Sequence, residues 1–470
     1  MKADVISSPG YSRYLPRATS LGLAVLVVVS LAGCALFRRL DMAAIHQESA
    51  TRPERNPVIL IPGFLGSKLR NARTHEAVWG GVMNAIRRSG TDDLSLPTDS
   101  ADLSLDRDDL VPYALVESVA GLKFYSTLLD ALRDVGGYRE GDIENPRPGD
   151  TLFIYNYDWR RDNVESAVGL GRAIERIKTR LHAPDMRFDI VAHSMGGLVA
   201  QYYLRYGTED VIGRGGPCLV RWAGAPDIAR MILIGTPLRG TMSAFRILNT
   251  GFSRAMSPGT VFTMPAVYQL LPSDGRSHLI DPQGMTVDVD LYDSDDWVDN
   301  RWSIFASRRD SEPRHAQPLK RFLQAALDRA REFHAALAAD ALGDSPVPVH
   351  LFGADCIPTL DRAILKPTSS GPVILFDDEI ASDRDARRLE KQMLAPGDGT
   401  VTTGSLLASA AGGHGAATWG GGARTFTSTF FFCGTHGLLP ADRGFQDNLF
   451  YVLFKSPEQE APVARASRDR

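Results

Sequence analysis

The sequence predicts an α/β fold built on a mainly parallel sheet. Three observations carry this expectation. Several short runs are apolar without interruption, as in strands buried on both faces. Segments with helical periodicity lie between them, and such alternation builds parallel sheets. One run, Phe188–Val191, passes through Ala192-His193-Ser194-Met195-Gly196-Gly197 into an apolar stretch of helical character.

Taken in order, Pro57-Val58-Ile59-Leu60-Ile61 is the first buried strand, stopped by Pro62-Gly63. The next covers Thr151 to Tyr157. The helix after it carries Ala167, Leu170, Ile174, Ile177 and Leu181, whose steps of three and four share one helix face. The strand Arg187–Val191, the helix Gly196–Tyr206 and the strand Arg230–Ile234 follow. A helix from about Leu319 to Leu337 precedes the strand Val347–Phe352. The strand Thr425–Phe432 and a helix through Asp447–Phe454 close a domain that spans residues 57–455.

Two stretches break the alternation, about 67–150 and 238–317. Irregular segments of that length inside a domain are typically functional insertions, here a cap and lid. A helical piece is expected near Phe124–Leu132. Phe252, Met256, Phe262, Met264 and Tyr268 are either an apolar surface for a ligand or plain cap core. Residues 456–470 are polar and charged and read as a disordered tail.

The chain has 470 residues, 44% of them hydrophobic and 23% charged, with a formal net charge of −4. No basic patch or basic–aromatic run points to nucleic acid. Its four cysteines, Cys34, Cys218, Cys356 and Cys433, are too few for a disulfide scaffold and lack zinc-ligand spacing. No metal or cofactor is expected. Lys2, Arg13 and Arg17 precede the apolar core Leu21–Ala32, which ends in Leu31-Ala32-Gly33-Cys34. Residues 1–33 therefore read as an export signal. The four closing residues resemble the bacterial lipoprotein box, which implies lipidation of Cys34. Residues 34–56 would then form a membrane tether at the bacterial cell envelope, at the outer membrane or periplasmic face of a two-membraned cell. The alternative is an uncleaved anchor over Ala18–Phe37, just long enough to span a bilayer.

Ser194 carries the chemistry. A nucleophile elbow needs small residues two before and two after the serine, because the turn is too tight for side chains there. Those positions hold Ala192 and Gly196. The following helix start favours an anion at the site. A serine hydroxyl needs a base, usually a histidine oriented by a carboxylate. In α/β-hydrolases acid and histidine follow the serine in sequence, which leaves His414 and His436 after the late acidic residues. His436 comes directly off a strand end and is held better than His414, which sits in Gly412-Gly413-His414-Gly415. For the acid, Asp355 ends a strand and Asp398 lies in Pro396-Gly397-Asp398-Gly399; spacing does not choose between them. The oxyanion hole calls for the Met195 N–H and one N–H from the loop after the first strand, at Phe64 or Leu65.

The segments PVILIPGFLGSKL (57–69), YNYDWRRD (155–162), AHSMGGL (192–198), GTPLRGT (235–241), PGDGTV (396–401) and THGLLP (435–440) occur in this order. Together they resemble the lecithin:cholesterol acyltransferase family, with its relatives lysosomal phospholipase A and the phospholipid:diacylglycerol acyltransferases. The resemblance implies an α/β-hydrolase fold with a cap and mobile lid, and an acyl-serine intermediate formed from lipid acyl esters. It implies Ser194 as nucleophile, Asp398 rather than Asp355 as acid, His436 as base, and Phe64 and Met195 as oxyanion donors. Tyr157-Asp158-Trp159-Arg160 would shape the wall of the site. The acyl group would pass to water or to a lipid alcohol acceptor. The family's early disulfide has no counterpart, because residues 67–150 contain no cysteine. Its second bridge would match Cys356 with Cys433, which follow neighbouring strands. The alternative from another class is an inactive hydrolase-fold surface lipoprotein that binds a lipid or a partner.

Overall fold

The computed structural model describes residues 55–80, 91–98, 103, 108–119, 122–214, 218–252, 256–306, 313–341, 343–369, 371–408 and 426–454. The expected signal segment, Cys34, His414 and the tail lie outside the described residues.

A seven-stranded sheet organises the chain. Its strands are β1 (Val58–Ile61), β2 (Glu140–Gly141), β3 (Leu152–Ile154), β4 (Phe188–His193), β5 (Ile228–Ile234), β6 (Val349–Ala354) and β7 (Ser428–Phe432). The order is β7-β6-β5-β4-β1-β3-β2, and every neighbouring pair is parallel. The uninterrupted apolar runs are explained by the two faces. Ile59, Ile61, Ile190, Ala192, Met231 and Leu233 enter one core. Val58, Leu60, Val191, Ile232, Ile234 and Phe352 enter the core on the opposite face. Strands of this kind leave no face for polar residues.

Helix α1 (Asn163–Leu181) starts where the Asp162 side chain accepts from the Val164 and Glu165 N–H groups. Such a cap satisfies donors that a helix start leaves unpaired. Its Ala167, Leu170, Ile174 and Ile177 stripe is buried, as its periodicity requires. Helix α2 (Met195–Tyr206) is buried at every residue. Helix α3 (Pro313–Ala338) packs its Phe322, Leu323, Ala326 and Leu327 into the same core as α1 and α2. Helix α4 (Arg443–Phe454) covers the other face with Phe445, Leu449, Val452 and Leu453. Among the described residues no helix is long and apolar enough to cross a membrane.

Two differences from the sequence reading have physical causes. The strand expected over Thr151–Tyr157 ends at Ile154. Beyond it the chain turns away from the sheet, and the Tyr157 N–H bonds to Ser67 Oγ at 3.2 Å. The early stretch contains a small sheet of its own, and a second small sheet lies between β6 and β7. Ser67–Asn71 pairs with Ala77–Trp79 and Leu110–Leu115, all antiparallel, and Ile357–Leu360 pairs antiparallel with Leu394–Gly397. These strands are short, and Leu110–Leu115 is interrupted by Pro112, so no period marks them. Of the five apolar residues considered for a ligand surface, Met256, Phe262, Met264 and Tyr268 are buried core, and only Phe252 is exposed. The packed body also reaches back to Arg55, whose guanidinium lies 4.9 Å from the Tyr138 ring centroid.

The Tyr157–Arg160 segment ties the early insertion to the sheet. The Arg160 guanidinium has no exposed surface. It donates to Asp108 Oδ2 and Oδ1 at 2.7 and 2.9 Å and to Asp158 Oδ1 and Oδ2 at 2.9 and 2.7 Å. It also donates to the Leu94 carbonyl at 3.2 Å. Removing the cation leaves two carboxylates facing one another with little access to water. An Arg160→Ala variant should therefore lose about 3–5 kcal/mol of stability in urea unfolding. An unchanged midpoint would contradict this role.

Candidate active site

Ser194 closes β4 and precedes α2 with φ 54° and ψ −126°. A non-glycine residue at positive φ is uncommon and costs about 1–3 kcal/mol. An ordinary capping serine has extended backbone and accepts from the helix N–H groups. Ser194 makes no such side-chain cap. Its Oγ lies instead 2.8 Å from His436 Nε2. The close quarters explain the small neighbours. A Cβ on Gly196 would come within 2.4 Å of the Pro62 carbonyl, and one on Gly197 within 2.0 Å of Thr236 Oγ1.

The His436 imidazole Nδ1 lies 2.7 Å from Asp398 Oδ2. An ionised carboxylate only accepts, so Nδ1 carries the proton and Nε2 is left to accept from the serine hydroxyl. The His436 backbone N–H also donates to the Asp398 carbonyl at 2.9 Å, fixing the two residues by main chain and side chain. Asp398 is buried, and burial alone would raise its pKa. The adjacent His436 and the N–H groups of Val401 and Thr400, at 2.7 and 2.9 Å from Oδ1, outweigh that and hold it below the ordinary carboxylate value. Asp355, the other candidate acid, is exposed to solvent.

The acid and the histidine come from loops beyond neighbouring strands. Asp398 follows the strand Leu394–Gly397, whose partner Ile357–Leu360 continues from β6. Gly399 takes φ 88°, which suits glycine, and its N–H bonds to Thr359 Oγ1 at 2.8 Å. His436 lies four residues beyond β7, at the start of the turn His436–Ala441. Cys356 and Cys433 are disulfide-bonded with their Cα atoms 5.5 Å apart. This bond joins the strand end that delivers His436 three residues later to the residue before Ile357–Leu360, the strand that pairs with the Asp398 strand.

The loop after β1 approaches the same point. A Cβ on Gly63 would lie 2.8 Å from Ser194 Cβ. The Gly66 N–H donates to the Gly63 carbonyl at 3.0 Å, and the Gly63 N–H to Tyr125 Oη at 3.0 Å. Phe64 and Leu65 lie between, and among the described residues neither N–H makes a backbone hydrogen bond. Met195, as the first residue of α2, has no intrahelical acceptor for its N–H. Leu65 takes φ 66°, and its carbonyl is held by Trp79 Nε1–H at 3.0 Å. Tyr157 Oη–H donates to the Pro62 carbonyl at 2.9 Å, and Trp159 Nε1–H to the Ser67 carbonyl at 2.9 Å. Phe64 packs edge-on against Trp159 with centroids 5.1 Å apart.

The structure thus brings Ser194, His436 and Asp398 into one hydrogen-bonded line, with the Phe64 loop and the Met195 helix start beside it. Such an arrangement can raise the nucleophilicity of a serine and stabilise an oxyanion. Among the described residues no cluster of side chains could hold a metal ion. Sequence reasoning missed Tyr125, His193, Trp79 and Thr359, which touch the site through its backbone. The histidine preceding the serine and the aromatic residues of the early insertion were the only signals for them.

Comparisons with known proteins agree with this architecture. The family model described as lecithin:cholesterol acyltransferase matches residues 117–303. The uncharacterized protein YJR098C of Saccharomyces cerevisiae is 25% identical over 261 residues, 55% of this chain and 35% of its own length. Lecithin-cholesterol acyltransferase-like 4 of Arabidopsis thaliana is 27% identical over 173 residues, 34% of this chain and 32% of its own. The chain thus spans about a third of the length of these curated relatives. A chain in the crystal structure of the Tle4–Tli4 complex superposes with a TM-score of 0.52 at 16% identity, covering 86% of this chain and 98% of that one. That likeness shows a shared fold.

Alkylation of the unreduced, unfolded protein followed by peptide mapping should label Cys218 and leave Cys356 and Cys433 unlabelled. Label on all three would contradict the bond between the loops.

Proposed function

We propose that the chain is a serine-dependent lipid acyl-ester hydrolase or O-acyltransferase of the lecithin:cholesterol acyltransferase-like α/β-hydrolases, a reading supported by the family-model match over residues 117–303 and by the likeness to lecithin-cholesterol acyltransferase-like 4. The observation that carries this reading is the unbroken line from Ser194 Oγ through His436 to Asp398, at 2.8 and 2.7 Å. Ser194 attacks the acyl carbonyl while His436 Nε2 takes its proton. Asp398 orients the imidazole and stabilises the charge it gains. The Phe64 and Met195 N–H groups receive the oxyanion. The ester C–O bond breaks, His436 returns the proton to the leaving alcohol, and the acyl group stays on Ser194. Water, activated by the same histidine, then releases the fatty acid; a lipid alcohol in its place forms a new ester. Hydrolysis, the chemical default for an acyl-serine exposed to water, is the reading adopted.

The sequence Leu31-Ala32-Gly33-Cys34 supports an exported enzyme held at the bacterial cell envelope by lipid on Cys34. Such an anchor would keep the site at the surface where its substrate is packed. Residues about 67–150 and 238–317 would supply the cap and lid over it.

Purified protein incubated with mixed phospholipid and an alcohol acceptor should release fatty acid, followed by mass spectrometry. Ser194→Ala should lower that rate about 10³-fold or more, and Asp398→Ala by several orders of magnitude. Asp355→Ala should stay within about threefold of the parent, because Asp355 is exposed to solvent. Equal activity of the parent and Ser194→Ala would overturn the reading. New ester in place of free acid would assign the acyltransferase branch.

A further inference from the structure

We propose that Tyr125 and His193 form a fixed donor–acceptor relay that positions the His436 turn against the Gly63 loop. The proposal rests on the serine-hydrolase reading above. Neither residue touches the reacting atoms; both act through the main chain of the loops that do.

The direction of every hydrogen bond follows by elimination. His193 Nε2 lies 3.1 Å from the backbone carbonyl of His436, and a carbonyl only accepts. Nε2 therefore carries a proton. His193 Nδ1 lies 2.7 Å from Tyr125 Oη. With the ring neutral, Nδ1 is bare and accepts the phenolic O–H. The Tyr125 oxygen in turn accepts the Gly63 N–H at 3.0 Å. The path thus runs Gly63 N–H to Tyr125 Oη, Tyr125 O–H to His193 Nδ1, and His193 Nε2–H to the His436 carbonyl. It joins the loop beside the oxyanion donors to the turn that carries the base, and it is anchored on the residue next to Ser194.

The relay holds its proton arrangement because neither member titrates near neutrality. Burial is the main influence on His193 and, with the nearby His436, pushes its pKa down to about 3; the His436 carbonyl and the Asp398 charge only partly offset this. Burial also pushes the Tyr125 phenol well above its ordinary value. The two imidazole rings lie 5.0 Å apart. A charged His193 at that distance would oppose the positive charge that His436 must accept, so a neutral ring there favours the reaction. Tyr125 belongs to the early insertion, and the relay is one point, beside the Trp79–Leu65 hydrogen bond, where that insertion grips the catalytic loops.

The test measures initial rates on a p-nitrophenyl acyl ester with the full-length protein, after thermal unfolding has shown each variant to be folded. Tyr125→Phe and His193→Leu should each lower kcat about tenfold or more, as small misplacements of catalytic groups do, with KM within about twofold of the parent. The double variant should be no slower than the slower single one, because both break the same path. His193→Gln should stay within about threefold of the parent: its carbonyl can accept from Tyr125 and its amide can donate to the His436 carbonyl. Parent-like kcat in Tyr125→Phe, losses that multiply in the double variant, or a Gln variant as slow as the Leu variant would overturn the relay. If His193→Leu does not fold, Tyr125→Phe and His193→Gln decide the matter. Ser194→Ala in the same assay separates the two levels. Its loss of activity beside unaffected relay variants removes only the relay, whereas its full activity removes the serine reading.

Discussion

The strained turn at Ser194 is the constraint on which the rest of the site depends. Its backbone, at φ 54° and ψ −126°, holds the hydroxyl above the end of β4 and away from the helix it precedes. Such a conformation persists only where the surroundings leave no alternative. The Ser194 N–H is fixed by the Ile234 carbonyl at 2.7 Å, and its carbonyl accepts from the Gly197 N–H at 2.9 Å. Gly196 and Gly197 let the β1 loop and Thr236 close in from either side. The buried sheet therefore does more than provide stability: it over-determines one unfavourable residue.

From that point outward the parallel sheet explains the convergence of the other groups. Strands running the same way end on the same edge, so the loops after β1, β4, β5, β6 and β7 all emerge beside Ser194. Gly235, directly after β5, shows how tight the meeting is: at φ 53°, a Cβ there would lie 3.1 Å from His436 Nδ1 and 3.2 Å from Asp398 Oδ2. The Cys356–Cys433 bond joins the β6 and β7 loops before their functional residues, and such cross-links act mainly by restricting the chain before it folds. Aromatic N–H and O–H groups from Trp79, Trp159 and Tyr157 hold the carbonyls of the β1 loop and the residue after it. Tertiary hydrogen bonds, not local propensity, fix that loop.

This division explains what was legible in the sequence. Runs such as Val58–Ile61 and Ile228–Ile234 read as strands because both faces of the sheet are covered, so nothing interrupts them. The α1 stripe read as a helix because only one of its faces is buried. Ser194 and its small neighbours stood out because a steric requirement leaves a mark in residue type. The short strand Leu394–Gly397 that presents Asp398 could not be seen, since its pairing lies with Ile357–Leu360, distant in sequence. Asp355 and Asp398 were equivalent as residue types; in the sequence the resemblance of PGDGTV alone favoured Asp398, and in the fold burial and the ring of His436 separate them. Tyr125 was invisible as a site residue because its role depends on a fold that brings it across to His193.

The central claim is that the acyl group rests covalently on Ser194 between the two halves of the reaction. The most direct measurement is acid quenching of the protein during turnover of a long-chain acyl ester, followed by mass analysis of the peptide that contains Ser194. The account predicts a gain equal to the acyl group on that serine, absent from the same peptide of Ser194→Ala. An unmodified Ser194 peptide during turnover, or an acyl adduct on another residue, would contradict it.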